Sequence, residues 1–242
     1  MLLASDISSE LKQFVTSLPQ SFEQSGTILY DKRNQIRRYT VDGTDLVVKR
    51  YKKPNFTQCI AYSWFTPNKA EKSFLFAGRL EALGIQTPRP LAAVTCRSFS
   101  IVRRYYLVTE TCDWPSCWSL LDEGFDRKTE LVSALAAQLI RMHEAGFMHG
   151  DTNLSNFLYD PNDFNRLCVI DINRSRFLGR PATRRECLGN MFRLTHVRPV
   201  LHDIITAYAS LRGWDVQDCI KEVEDSLHRF ETRKKILHFG KF

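Results

Sequence analysis

Long apolar runs are missing from this chain of 242 residues. No stretch approaches the roughly 18 consecutive apolar residues of a membrane-spanning helix. The opening, Met1-Leu2-Leu3-Ala4-Ser5-Asp6, lacks the basic start and apolar core of a secretory signal. The seven cysteines are odd in number and form no C-x-x-C pair. That argues against a disulfide framework or a zinc site and for reduced thiols in the cytoplasm. Internal repeats, low-complexity linkers and recognisable nucleic-acid modules are lacking too, so nucleic acid is not an expected partner. Positive charge is plentiful: 34 Lys and Arg against 27 Asp and Glu give a formal net charge of +7. Such a balance favours an anionic partner such as a nucleotide, a phosphosugar, an anionic lipid surface or nucleic acid, with plain solubility charge as the bland alternative.

Turn and cap signals order the elements. Residues 5–18 read as a short amphipathic helix capped by Ser5 or Asp6 and stopped by Pro19. Strands are expected over 27–30, 35–41 and 45–51, turning at Lys32-Arg33-Asn34 and Asp42-Gly43-Thr44 as an antiparallel meander. Thr66-Pro67 opens a helix with Ala70, Phe74, Ala77, Leu80 and Leu83 on one face and Gly84 at its end. Two further strands fit 91–102 and 104–110. Asp126 caps a helix over 127–145, with Leu131, Leu135, Leu139 and Met142 as its apolar stripe and Gly146 as its stop. Short strands at 157–159 and 167–170 flank a turn at Pro161-Asn162-Asp163, and the pattern is helical from about residue 184. The expected class is α+β. Residues 1–110 form an antiparallel sheet with one main helix, and residues 111–242 are mostly helical.

The chemistry concentrates in Phe147-Met148-His149-Gly150-Asp151-Thr152-Asn153-Leu154-Ser155-Asn156. An Asp five residues before an Asn, after a helix, has the spacing of a kinase catalytic loop. Asp151 would take the acceptor hydroxyl's proton; Asn156 would hold Mg²⁺. Leu167-Cys168-Val169-Ile170-Asp171 reads as a buried strand ending in a second metal carboxylate. Mg²⁺ favours few carboxylates alongside phosphate oxygens and waters, which suits one Asp, one Asn and ATP. His149 is expected to support the loop by hydrogen bonds. Strand alternation puts Val47 and Lys49 on one face, where Lys49 can neutralise ATP phosphates and pair with Glu71 of the next helix. A solvent-facing strand lysine is the plain alternative. The turn Asp31-Lys32-Arg33-Asn34-Gln35 holds no glycine, so Arg33 or Lys32 would replace a backbone phosphate cover, unless it is a simple polar turn. Backbone groups from Glu110 to Cys112 are candidates for adenine.

Lys49, Glu71, His149-Gly150-Asp151, Asn156 and Asp171 follow one another as in the protein-kinase-like superfamily, which the chain resembles over nearly its whole length. More narrowly it resembles the bacterial lipopolysaccharide kinases, the Kdo/WaaP family with its InaA-like members. Lys32-Arg33-Asn34, Gly84-Ile85-Gln86-Thr87-Pro88-Arg89-Pro90 and Asp171-Ile172-Asn173-Arg174 carry that match. The resemblance implies a bilobal kinase-like fold with N-lobe 1–110 and C-lobe 111–242, its polar groups at 49, 151, 156 and 171 meeting across a cleft. It implies ATP- and Mg²⁺-dependent phosphorylation of a Kdo or heptose hydroxyl in the lipopolysaccharide inner core or a lipid A precursor. It places the enzyme in the cytoplasm, at the inner face of the inner membrane. A small-molecule or RIO-like protein kinase, or a non-catalytic kinase-fold binding module, are the competing readings. No A-P-E follows Asp171, which disfavours a regulated protein kinase. Arg174, Arg176, Arg180, Arg184 and Arg185 can meet an acceptor carboxylate or phosphate, or form a solvated basic face. The tail, 233–242, mixes cations with aromatics and can rest on an anionic bilayer or simply fray.

Overall fold

A computed structural model describes residues 1–239, with side chains up to residue 233. The expected membrane-resting tail therefore lies, Arg233 excepted, outside the residues whose side chains are described. The chain divides into two compact units, Met1–Asp113 and a second from Trp114 onward.

The first unit contains β1 (Leu2–Leu3), α1 (Ser9–Ser21), β2 (Thr27–Asp31), β3 (Gln35–Val41), β4 (Thr44–Arg50), α2 (Phe56–Trp64), α3 (Lys69–Ala82), β5 (Pro90–Ser98) and β6 (Ile101–Glu110). Its strands form one antiparallel sheet in the order β1-β5-β6-β4-β3-β2. Strand alternation sends side chains to two different cores. Leu46 and Val48 face α1, whose Leu11, Val15 and Leu18 pack with Phe22, Tyr106 and Val108. On the other face Tyr51, Ala93 and Tyr105 pack with Ala70 and Phe74 of α3. Burying each of these large apolar side chains stabilises the fold by about 1.5–3 kcal/mol.

Several expected boundaries shift, each for a local reason. Helix α1 starts later, capped by Ser8 rather than Ser5 or Asp6, and runs through Pro19. A proline near a helix end removes only one backbone bond, and Leu18 before it and Phe22 after it both bury their side chains. Helix α2 was not foreseen; Asn55 and Gln58 form a capping box at its start. Helix α3 begins not at Thr66-Pro67 but after Asn68, for the same reason. The Asn68 side chain accepts from the Ala70 and Glu71 amides at 2.9 and 3.2 Å, and Glu71 accepts from the Asn68 amide at 3.0 Å. The strand pair expected to break near residue 103 turns at Phe99-Ser100, both with positive φ.

The second unit contains α4 (Lys128–Glu144), β7 (Phe147–Met148), β8 (Phe157–Asp160), β9 (Asp163–Val169), β10 (Arg176–Phe177), α5 (Arg184–Met191), α6 (Arg198–Arg212) and α7 (Val216–Phe239). Helix α4 starts at Lys128, with no side-chain cap from Asp126. Its stripe of Leu131, Leu135, Leu139 and Met142 is fully buried. Two short antiparallel ribbons, β7 with β10 and β8 with β9, hold the segments between α4 and α5.

Asn68 is fully buried and also donates to Thr95 at 2.8 Å. Asn68→Ala should lower the unfolding free energy by about 2 kcal/mol. Ser8→Ala, at a part-exposed cap, should cost under about 1 kcal/mol. Urea unfolding with an unchanged slope checks both values.

Candidate active site

In the second unit the chemistry-bearing residues sit on two segments tied together by His149. Pairing of β7 with β10 lays residues 147–150 beside 172–177. The approach is so close at Gly150 that an added Cβ would sit 2.1 Å from the Arg174 carbonyl oxygen, so only glycine fits. His149 is 1% exposed. Its Nδ1 accepts the Asp151 amide N–H at 3.0 Å, which leaves Nε2 to donate to the Ile170 carbonyl at 3.0 Å. Burial pushes its pKa down, and the imidazole stays neutral.

A second layer holds the first. Asn190 donates to the His149 carbonyl at 2.8 Å, and the Thr152 hydroxyl donates to the Asn190 carbonyl. The Asn190 side-chain oxygen lies 3.2 Å from His143 Nε2, and His143 Nδ1 lies 2.9 Å from the Tyr208 hydroxyl. His143 is buried, and desolvation pushes its pKa down to about 4.

Asp151 is half-buried, and its carbonyl accepts from the Asn153 amide and from Asn156 Nδ2, both at 2.8 Å. That bond fixes the Asn156 amide with its oxygen as the remaining polar atom. The Ile170 amide donates to the Asn156 carbonyl at 2.9 Å, and Phe157 pairs with Val169. Asn156 and Asp171 are therefore neighbours at one end of the β8–β9 ribbon. Asp171 is exposed and adopts the left-handed conformation, φ 57° and ψ 43°, a region aspartate tolerates at a small cost. Asn173, buried where a kinase has glycine, donates to one Asp171 oxygen. An amide oxygen beside a carboxylate is a donor set of hard oxygens, which fits Mg²⁺.

The Asp151 carboxylate has two cationic neighbours: Arg193 Nη2 at 3.2 Å and Arg174 Nη1 at 3.6 Å. Arg193 carries no motif signal, and sequence reasoning missed both it and Asn190. The expected arginine cluster is broken up. Arg180 pairs with Glu186 at 2.8 Å, holding that carboxyl down to about 2, and Arg184 pairs with Glu222.

In the first unit, Lys49 projects from β4 with Nζ 5.1 Å from the Tyr51 ring centroid, on the face that α3 covers. Glu71, expected to pair with Lys49, is held by α3 and β5. Beyond closing the Asn68 cap, it accepts the Thr95 hydroxyl at 2.6 Å, joining α3 to β5. Arg33 is exposed in the β2–β3 turn. Glu110 ends β6 with its carboxylate 2.8 Å from Arg89. The amides of Glu110 and Thr111 donate to the Arg89 and Asp45 carbonyls, so among the expected adenine contacts these two N–H groups are already engaged. Cys112 is half-buried. None of the described helices is long and apolar enough to cross a membrane.

The family model for the lipopolysaccharide kinase (Kdo/WaaP) family matches residues 33–198. A 3-deoxy-D-manno-octulosonic acid kinase from Vibrio cholerae serotype O1 is 24% identical over 163 residues, 64% of this chain and 68% of the relative. Among solved structures, WaaP in complex with acyl carrier protein superposes with a TM-score of 0.60 at 17% identity, covering 98% of this chain and 99% of that one. A structure from Ralstonia eutropha assigned as an aminoglycoside phosphotransferase gives a TM-score of 0.55 at 12% identity, covering 88% and 84%. These two establish the kinase-like fold.

His143 makes a pH prediction. Its folded pKa of about 4 lies below the ordinary 6.5, so the unfolded chain takes the proton first. The stability it contributes is complete above about pH 6.5 and is lost as pH falls toward 4, about 3 kcal/mol in all. His143→Gln keeps a donor and an acceptor but does not titrate. Urea unfolding between pH 7 and 4 should show the natural protein losing about 3 kcal/mol more than this variant. Parallel profiles would contradict the assignment.

Proposed function

This chain belongs to the lipopolysaccharide kinase (Kdo/WaaP) family, and from that premise we propose that it transfers the γ-phosphoryl group of ATP to a Kdo hydroxyl of the lipopolysaccharide inner core. That it is a phosphotransferase follows from the family. The choice of Kdo over heptose is supported by the similarity to the Vibrio cholerae kinase. The observation that carries the reading is the local cluster of Asp151, Asn156 and Asp171, held by one buried imidazole.

Each residue has a distinct task in this reading. Asp151 orients the attacking hydroxyl and receives its proton. The oxygen forms its bond to the γ-phosphorus as the bond to the β–γ bridging oxygen breaks, and ADP leaves. In a loose transition state the nucleophile is only weakly activated, so positioning is Asp151's larger contribution. Asn156 and Asp171 would hold Mg²⁺, which supplies positive charge against the phosphate oxygens when bound. Lys49 would neutralise the α- and β-phosphates, with Glu71 steadying its side of the sheet and Arg33 anchoring phosphate from the β2–β3 turn. Glu110 to Cys112 would line the adenine, through carbonyl groups and the Cys112 backbone. The acceptor is a glycolipid or its precursor, so work at the inner face of the inner membrane, in contact with anionic lipid, belongs to the same proposal.

Incubation with labelled ATP, Mg²⁺ and Kdo- or heptose-terminated core oligosaccharide tests it, with the phosphate located by mass spectrometry. Label should enter the Kdo ring. Asp151→Asn should lower kcat by about 10²–10⁴-fold. Lys49→Met should lower kcat and raise the KM for ATP. Label found only in protein, or only in heptose, would overturn the assignment.

A further inference from the structure

We propose that Arg174 and Arg193 form a clamp for a carboxylate on the acceptor, so that the enzyme selects a sugar acid over a neutral sugar. The inference deepens the reading of Asp151 as the residue facing the acceptor hydroxyl, and rests on it.

The two guanidiniums approach opposite oxygens of one carboxylate, Arg193 at Oδ1 and Arg174 at Oδ2. Two positive charges on one negative charge leave a local excess of +1. A second anion would complete the charge balance at this point. It would neutralise the excess and draw the guanidiniums partly away, leaving an Asp151 lone pair for the hydroxyl.

The clamp has capacity and fixed position. A guanidinium offers five N–H donors in a rigid fork suited to carboxylates, and each of these two spends only part of its set on Asp151. Their side chains are 46% and 36% exposed, so donors remain on the solvent side. Arg193 also lies over the Phe230 ring at 5.4 Å, and that ring packs on Phe192 at 5.5 Å. The stacking orients the fork without using its donors. Arg174 is held by its backbone, which closes a turn from Ile172 and abuts Gly150. Arg180 and Arg184, by contrast, are each matched to a glutamate of their own.

Carboxylate rather than phosphate is the ligand the inference commits to, because two planar forks at one side of a hydroxyl-facing Asp suit a planar anion on the same ring. A sugar with a 1-carboxylate places that anion within one ring of its hydroxyls. Heptose has none.

Steady-state kinetics with a Kdo-terminated oligosaccharide, its carboxyl methyl ester and a heptose-terminated oligosaccharide, each with and without phosphate, test the proposal. The natural enzyme should lose about 30-fold in kcat/KM on the ester, chiefly through acceptor KM. Arg193→Gln should lose a similar factor on the acid but under about 3-fold more on the ester, since both changes remove one interaction. Arg193→Lys should recover part of the loss, and Arg174→Gln should repeat the pattern. Unchanged urea midpoints and ATP KM would exclude misfolding as the cause. Equal use of acid and ester, losses that multiply, or preference for a phosphorylated neutral sugar would overturn the clamp while leaving the kinase reading intact. Absence of phosphotransfer to any sugar would sink the kinase reading, and the clamp with it.

Discussion

A buried neutral imidazole connects the two segments that carry the candidate site residues of the second unit. His149 takes the Asp151 amide proton on one nitrogen and gives its own to the Ile170 carbonyl from the other. Both partners are backbone groups adjoining a candidate site carboxylate, Asp151 or Asp171, so the ring sets the spacing between the loop at 151–156 and the ribbon end at 170–171. Protonation would leave Nδ1 with no lone pair for the amide and break the link. Burial prevents this by disfavouring the charged form.

Around this ring the sequence shows an economy of small residues and amides. Gly150 permits the close approach to Arg174 that no Cβ would allow. Asn156 closes the loop onto the Asp151 carbonyl, and Asn190 carries the same restraint outward to Thr152 and His143. In the first unit a comparable part falls to Asn68 and Glu71, whose capping box fixes where α3 begins and ties it to β5 through Thr95. Backbone placement by buried polar side chains is thus common to both units. The polar atoms of Asn68, His149 and Asn190 all find partners, which offsets the cost of burying them.

Local signals were legible in the sequence; partners distant in the chain were not. The alternation in β4 and the apolar stripe of α4 follow from periodicity, and the supporting role of His149 followed from its place in the loop. Missed boundaries had local signals of their own: Asn55 with Gln58 and Asn68 with Glu71 are capping boxes three residues apart. Other features had no local trace. The run of arginines after Asp171 looks like one cluster on paper, yet Glu186 on α5 holds Arg180 and Glu222 on α7 holds Arg184. Arg193 and Asn190 reach the loop from 40 or so positions away, with no motif to announce them.

The most direct measurement of the central claim is the nitrogen NMR spectrum of His149 across pH. The expected result is a ring protonated on Nε2, with Nδ1 at the shift of a hydrogen-bond acceptor, that titrates below the ordinary histidine value. A ring protonated on Nδ1, or one that titrates like a solvent-exposed histidine, would mean that the loop and the ribbon end are not joined as described.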